Sequence, residues 1–287
     1  MHIGLVGAGM MGHGMAANLL KHGHEVSVIA HRNRGPVEDL VAKGAREATT
    51  LAEIAAADVI LLCVTTSKVV ADSIAGLKPH LRQGQIIMDA GTSAPDATKR
   101  LAQELKAMGV GYADIPLTGG PEQAEQGVLG VLCGAEPETF ARIEPLLACF
   151  ATTIKHFGPP GSGHTAKLIS NYLVTGMVAL VAEAFGAART VQIDWKDLYE
   201  VMLNGSGNSG VLRKMVEPAL HGDFDGYRFA IANAAKDIGY YAELAEKLGC
   251  ATRLTESVAE IFREAVETGH GGRNVSHLLD PAIDEVT

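Results

Sequence analysis

The sequence predicts a doubly wound α/β domain followed by an all-helical domain, the two joined by one long interdomain helix. Three observations carry this. Short apolar runs alternate with helical stretches over the first half of the chain. The alternation stops at Gly158-Pro159-Pro160-Gly161, a natural boundary. Beyond it helical periods continue with almost no strand-like alternation. A chain of 287 residues exceeds the usual single-domain size, so two domains are expected, here 1–161 and 162–287.

Taken in order, the first apolar run is Ile3-Gly4-Leu5-Val6, which leads into Gly7-Ala8-Gly9-Met10-Met11-Gly12. A helix follows, with Met11, Met15 and Leu19 at i, i+4 and i+8. Strand, G-x-G-x-x-G turn and helix together form the phosphate-binding element of a Rossmann-type sheet. Gly7 permits the turn, Gly9 admits the pyrophosphate to the backbone and Gly12 lets helix and strand pack closely. The free N–H groups at the helix start, aided by its dipole, hold the phosphate charge. Residues 25–30 (EVSVIA) read as the second strand, ending at His31-Arg32-Asn33-Arg34. An NAD enzyme places an acid there against the ribose 2′-hydroxyl, and none is present. Arg32, Asn33 and Arg34 instead suit a 2′-phosphate, so NADP(H) is preferred and NAD(H) stays possible. A pair of solvated turn arginines is the plainer alternative.

Short helices are expected at 37–43 and 51–57. The unbroken apolar run at 58–64 suits a strand buried on both faces of a parallel sheet. Val64, Thr65 and Thr66 then fall at its carboxyl end, the edge where open α/β sheets bind ligands. A helix to about Leu77, a strand at 85–90, a helix beginning around Pro95 and a strand at 111–115 continue the pattern. Thr118-Gly119-Gly120-Pro121 follows, a loop whose backbone N–H groups can cradle a small carboxylate, or else an ordinary Gly-Gly-Pro turn. Strands are expected at 128–133 and 153–157. From 163 to 190 the pattern is one helix, roughly 40 Å long at the α-helical rise. The Gly-rich stretches at 205–210 and 222–226 read as loops between later helices.

Composition narrows the possibilities. The net charge of −9 argues against nucleic acid, which demands clustered Lys and Arg. Cys63, Cys133, Cys149 and Cys250 are scattered without metal-like spacing, and read as reduced structural thiols. The first strand is expected to begin at residue 2, so no signal peptide is expected. The most apolar helical stretch, 177–188, carries Glu183 and reads as too short for a membrane span. A cytoplasmic protein with no membrane partner is expected. The helical domain is apolar enough for a homodimer or homotetramer.

Lys167 stands in the first turns of the long helix, with Asn171 one turn further on the same side. Hydride transfer to a carbonyl needs a proton donor at the new alkoxide, and a Lys ammonium serves near neutral pH if burial or a nearby cation lowers its pKa. A cleft between the domains, closed over the cofactor, would supply such burial, and Asn171 would hold the same oxygen. The competing interpretation is an exposed helix lysine. His164 and His156 are weaker candidates, as surface or satisfied polar residues. No HExxH, His–carboxylate cluster or G-x-S-x-G appears, so neither zinc nor serine-hydrolase chemistry is expected.

Four motifs in order resemble the β-hydroxyacid dehydrogenases, the family of 3-hydroxyisobutyrate dehydrogenase and tartronate semialdehyde reductase, over the whole chain. GLVGAGMMGHGMAANLLKHGHEV is similar to the family's nucleotide signature, and DIPLTGGPEQAEQG to its substrate loop. GSGHTAKLISN resembles the catalytic motif, which implies that Lys167 is the catalytic lysine and Asn171 its substrate-side partner. FAIANAAKD resembles the late motif closing over the nicotinamide, implying cofactor roles for Phe229 and Lys236. Thr92 matches a Thr set near nicotinamide and substrate. The resemblance therefore implies a 3-hydroxyacid dehydrogenase or semialdehyde reductase acting on a small carboxylate held by Thr118, Gly119 and Gly120.

Departures blur the substrate. Thr118 replaces the family's Ser and adds a methyl group. Ser170 stands where many relatives carry a second Asn, and Val131-Leu132-Cys133-Gly134-Ala135 differs from the usual Met-Val-Gly-Gly ending. Gly119 occupies the position of an Arg used by sulfolactaldehyde reductases, and imine reductases of similar fold lack the lysine that this chain keeps at 167. An imine or sugar-acid oxidoreductase of the same fold, and a non-catalytic dinucleotide sensor or scaffold, are the alternatives.

Overall fold

A strand buried on both faces needs apolar side chains at every position, and the chain supplies several. In a computed structural model, which describes residues 1–31 and 33–283, these become the middle of a nine-stranded sheet. The elements run β1 (His2–Val6), α1 (Met10–Lys21), β2 (Glu25–Ile29), α2 (Gly35–Ala42), β3 (Arg46–Ala48), α3 (Leu51–Ile54), β4 (Val59–Leu62) and α4 (Ser67–Leu77). They continue with β5 (Ile86–Asp89), α5 (Pro95–Lys106), β6 (Gly111–Asp114), β7 (Leu117–Thr118), α6 (Pro121–Gln126), β8 (Leu129–Ala135), α7 (Pro137–Leu147) and β9 (Ala151–Gly158). The spatial order is β3-β2-β1-β4-β5-β6-β8-β7, with β9 beside β8.

From β3 to β6 every pairing is parallel, while β8 runs antiparallel to β6 and β7. Val59, Ile60, Leu61 and Leu62 are all wholly buried, as a parallel strand covered on both sides requires. The chain winds from β1 outward to β3, then crosses back to place β4 on the other flank of β1. That reversal opens a crevice at the carboxyl ends of β1 and β4. One apolar layer packs Met15, Leu19, Leu40, Leu129 and Phe150 on one face of the sheet. A second packs Ile54, Ile74, Leu77, Leu105 and Tyr112 on the other.

The chain divides into two compact units, Met1–Lys167 and Leu168–Thr287. The division falls inside α8 (Ser162–Thr190). After it come α9 (Trp195–Asn204), α10 (Gly210–Ala219), α11 (Ile231–Lys247) and α12 (Arg253–Glu267). Asp194, Ser209 and Thr252 cap α9, α10 and α12 by accepting from backbone N–H groups in their first turns. Val178, Phe185, Met215, Ile231, Ile238 and Phe262 form the core of this helical unit. Phe185 meets Trp195 edge-on at 5.2 Å.

Several expectations need correction. The predicted 51–57 helix ends at Ile54, and the stretch at Pro121 is a short helix, α6, rather than only a turn. The expected helix too short to span a membrane is one part of α8, whose 29 residues and window hydropathy of 1.6 meet the length and composition of a spanning helix. That helix also buries Asn171 and Thr175, alongside the core side chains Val178 and Phe185.

The start of α8 is sunk against the sheet edge. A Cβ at Gly163 would stand 2.3 Å from the Leu132 carbonyl oxygen and 2.8 Å from the Gly134 nitrogen, both backbone atoms that cannot yield. Gly163→Ala is therefore expected to destabilise the protein by about 3 kcal/mol, as overpacking against fixed atoms does. In calorimetry that is a fall of roughly 6–12 °C in Tm; a change of less than 2 °C would show that the first turn of α8 has slack.

Candidate functional site

The G-x-G-x-x-G turn sits at the carboxyl end of β1, beside the loop leaving β4. Gly7 has φ +102°, and a Cβ there would lie 2.2 Å from the Cys63 carbonyl oxygen. A Cβ on Gly12 would lie 2.0 Å from the Gly7 carbonyl oxygen. Gly9 differs, because a Cβ there would meet no atom of the chain within 4 Å. The protein's own packing thus demands glycine at 7 and 12 but leaves open space over 9. Helix α1 starts at Met10 with no side-chain cap and no acid in its first turn, so its N-terminus keeps its positive end for an anion. These features fit a dinucleotide pyrophosphate.

Arg32 lies outside the described residues. Asn33 accepts from the Gly35 N–H at 3.1 Å. Arg34 is engaged within the chain, donating to both Glu47 carboxylate oxygens at 2.9 and 3.1 Å, with Glu38 at 3.5 Å. Val64 is half-buried and Thr65 exposed, while Thr66 caps α4 by accepting from the Val69 N–H at 3.2 Å. Thr92 is half-buried in the loop between β5 and α5.

Thr118 pairs with Gly130 across β7 and β8, close enough that a Cβ on Gly130 would fall 2.2 Å from the Thr118 hydroxyl oxygen. Gly119 is exposed with φ +106°. The Gly120 N–H is not turned outward as the sequence suggests: it donates to Gln123 Oε1 at 2.8 Å. The loop is tied to the nucleotide helix, because Asn18 Nδ2 on α1 donates to the Ala124 and Glu125 carbonyls of α6 at 2.9 and 3.1 Å.

Lys167 is half-buried in the first turns of α8. Those turns are held by Asp114, whose carboxylate accepts from the Gly161 and His164 backbone N–H groups, each at 2.7 Å. Burial pushes the Asp114 carboxyl above the usual carboxylate range, with the His164 ring and these two N–H groups pulling the other way. One turn beyond Lys167, Asn171 is buried and donates from Nδ2 to Asp237 Oδ2 on α11 at 2.6 Å. Lys236 Nζ lies 2.9 Å from Asp237 Oδ1, a charge contact without hydrogen-bond alignment, and 5.4 Å from the Tyr240 ring centroid. Phe229 is half-buried just before α11, its carbonyl accepting from the Val275 N–H at 2.8 Å.

Sequence reasoning assigned no role to Asp237, Asp89 or Asp114, all buried, and placed His164 among the lesser histidines. Asp89 and Asp114 did leave one signal, an acid ending an otherwise apolar strand. Among the described residues, no group of three or more His, Cys, Asp or Glu could hold a metal ion.

A glycine turn of this geometry at the switch point of a parallel sheet is a dinucleotide-binding element. Residues 2–158 match the family model of the NAD binding domain of 6-phosphogluconate dehydrogenase. Residues 161–282 match that described as NAD-binding of NADP-dependent 3-hydroxyisobutyrate dehydrogenase. The chain is 29% identical to 2-(hydroxymethyl)glutarate dehydrogenase of Eubacterium barkeri, covering 96% of this chain and 93% of that one. It is also 29% identical to 2-hydroxy-3-oxopropionate reductase of Escherichia coli, covering 96% and 94%. A crystal structure of 3-hydroxyisobutyrate dehydrogenase from Salmonella typhimurium superposes with a TM-score of 0.88 at 27% identity, covering 97% and 99%. The chain belongs to the β-hydroxyacid dehydrogenase family, and it is an NAD(P)-dependent enzyme acting on CH–OH groups.

Cys63, at the turn, is no nucleophile. Burial, and then the Asp89 charge, push its thiol up to about 12, against a smaller downward pull from the Gly12 N–H. Cys133 is likewise pushed up to about 12, by burial first and Asp114 second. Cys250 is exposed. A thiol reagent at pH 8 is expected to label Cys250 within minutes and to reach Cys63 and Cys133 only after unfolding, read by peptide mass mapping. Rapid labelling of Cys63 in the native protein would contradict the packing of the turn.

Proposed function

We propose that the chain is a 3-hydroxyacid dehydrogenase, or the corresponding semialdehyde reductase, that prefers NADP(H) and uses Lys167 as its general acid and base. The observation that carries it is the placement of Lys167 on a helix start fixed to the carboxyl edge of the sheet by Asp114. Open α/β sheets bind their ligands at that edge. Two domains are assigned to this work, 1–161 for the dinucleotide and 162–287 for substrate binding and oligomerisation.

The bound nicotinamide supplies the hydride in reduction and receives it in oxidation. The chain's residues do the rest. Met10, Met11 and Gly12, with Gly7, Ala8 and Gly9, hold the pyrophosphate at the α1 N-terminus, where the open space over Gly9 admits it. Val64, Thr65, Thr66 and Thr92 border the nucleotide from the β4 and β5 loops, and the family resemblance gives Phe229 and Lys236 their cofactor roles. Thr118 and Gly119 hold the substrate carboxylate. Gly120 acts by shaping this loop, since its N–H is taken by Gln123. Lys167 gives a proton to the carbonyl oxygen during reduction and takes it from the hydroxyl during oxidation. Asn171, its amide fixed by Asp237, orients that oxygen.

The NADP preference rests on Arg32 and Asn33 more than on Arg34, whose guanidinium is already paired with Glu47. Relatives named for 2-(hydroxymethyl)glutarate and for 2-hydroxy-3-oxopropionate support a small hydroxy or aldehyde acid as substrate.

Two experiments test this. Oxidation of NADPH is screened over succinic, glyoxylic, tartronic and methylmalonic semialdehydes. At least one should turn over, and Lys167→Ala should lower its kcat about 100-fold or more while binding NADPH normally. Turnover undiminished in Lys167→Ala would remove the lysine from the mechanism. Arg32→Asp should weaken NADPH binding at least about tenfold, roughly the worth of one charge-assisted contact, and leave NADH little changed; equal losses would make Arg32 a bystander.

A further inference from the structure

Three ionisable side chains with no exposed surface meet beneath the first turn of α8: Asp89 from the end of β5, Asp114 from the end of β6, and His164. Buried charges are costly unless paired and hydrogen-bonded, so such a cluster needs a reason. Each carboxylate has its own donors. Asp114 accepts the two α8-side N–H groups already described. Asp89 accepts from the Gly91 N–H at 2.9 Å and from the Ser93 and Tyr112 hydroxyls, each at 3.2 Å.

The imidazole lies across the gap between them, 3.8 Å from Asp89 Oδ2 and 3.7 Å from Asp114 Oδ2. Its nearer partners are different groups. Nδ1 is 2.8 Å from the Thr98 hydroxyl on α5, and Nε2 is 3.3 Å from the Gly91 carbonyl oxygen. A carbonyl oxygen only accepts, so in the tautomer that carries its hydrogen on Nε2 the ring donates to Gly91. Gly91 immediately precedes Thr92, and a Cβ on Gly91 would fall 2.7 Å from the Val64 carbonyl oxygen. One ring thus links the turn that carries Lys167 to the Thr92 loop, and through it to the loop after β4. All of these atoms lie within the Met1–Lys167 unit.

We propose that His164 is a positioning residue for Lys167: it fixes the lysine's helical turn against the Thr92 loop and sets the charge beneath it. Lys167 follows His164 by three positions, so the two share a side of α8. With the imidazole neutral, the cluster can reach a charge of −2, and with an imidazolium −1. Either value bears on a lysine ammonium one turn away.

Of the other titratable groups facing the cluster, Tyr112, Cys63 and Cys133 stay uncharged near neutrality. Tyr112 is pushed up by burial first and by Asp89 second, and Cys63 and Cys133 are both pushed up to about 12. Lys99, on α5, lies beside Gly161 and is exposed. Asp89, Asp114 and His164 are thus the wholly buried acids and base beneath the turn. This inference rests on the proposed role of Lys167, and its test separates the two.

The test compares wild type, His164→Ala and His164→Gln. For each, the pH dependence of kcat and the KM for NADPH are measured. Independently of any turnover, the Lys167 titration is followed by NMR of 13Cε-lysine-labelled protein, assigned with Lys167→Arg. His164→Ala should lower kcat tenfold or more, leave the KM for NADPH within twofold, and move the Lys167 titration midpoint by half a pH unit or more. His164→Gln, which keeps a donor for Gly91 but no ring charge, should recover much of kcat while leaving the midpoint displaced. Should His164→Ala not fold, Thr98→Val, which removes the Nδ1 partner and keeps the ring, takes its place: it should lower kcat with the KM for NADPH within twofold, and an unchanged kcat would overturn the positioning role.

A midpoint unmoved in every variant, or a fall in kcat matched by an equal rise in KM for NADPH, would overturn the proposal. If wild type reduces no semialdehyde yet the Lys167 midpoint moves with His164, the proposed reaction fails and the positioning role stands.

Discussion

Two hydrogen bonds from backbone N–H groups to one buried carboxylate fix the start of α8, and with it the turn that carries Lys167. Asp114 ends β6 and receives the Gly161 and His164 N–H groups, so the first turn of α8 is anchored to the carboxyl edge of the sheet. A negative side chain at a helix N-terminus is favoured by the helix dipole and by the otherwise unsatisfied N–H groups there. In this case the acid comes from a strand remote in sequence, and the helix start is locked to the sheet. The absence of side chains at Gly163 and Gly134 makes room for it: a Cβ on Gly134 would stand 2.5 Å from Asp114 Oδ1.

The two helix starts of interest are treated in opposite ways. That of α8 receives an internal carboxylate, while α1 begins without a cap or a first-turn acid. An external anion is the natural partner for the second. The same economy appears in the loops. Thr66 and Gly120 look free in the sequence, yet one hydroxyl caps α4 and the other residue's N–H is bound by Gln123. Thr66 and Gly120 thus shape their loops, whereas Gly9, Thr65 and Gly119 are exposed.

Much of the fold was legible because its signals are local. The apolar run that becomes β4 has no alternation, which is the mark of a strand covered on both faces. The glycine spacing around Gly7 gave the turn, and the helical period from residue 163 gave all but the first residue of α8. The missed elements have weak local signals. β3 is three residues with Arg and Glu among them, β7 is two residues long, and α6 hides behind Gly-Gly-Pro. The buried polar groups were harder still. Nothing in the neighbourhood of His164 in sequence marks it as wholly buried, because Asp89, Thr98 and Asp114 reach it only through the tertiary fold. Asp237 follows the same rule, its partner Asn171 lying on a different helix.

The proposed reaction depends on where the Lys167 amine stands when the reactants are bound. The most direct measurement is a crystal structure of the ternary complex with NADP and a bound 3-hydroxy acid. Lys167 Nζ should lie within hydrogen-bond distance of the substrate hydroxyl. An amine directed into solvent, remote from that hydroxyl with both reactants in place, would contradict it.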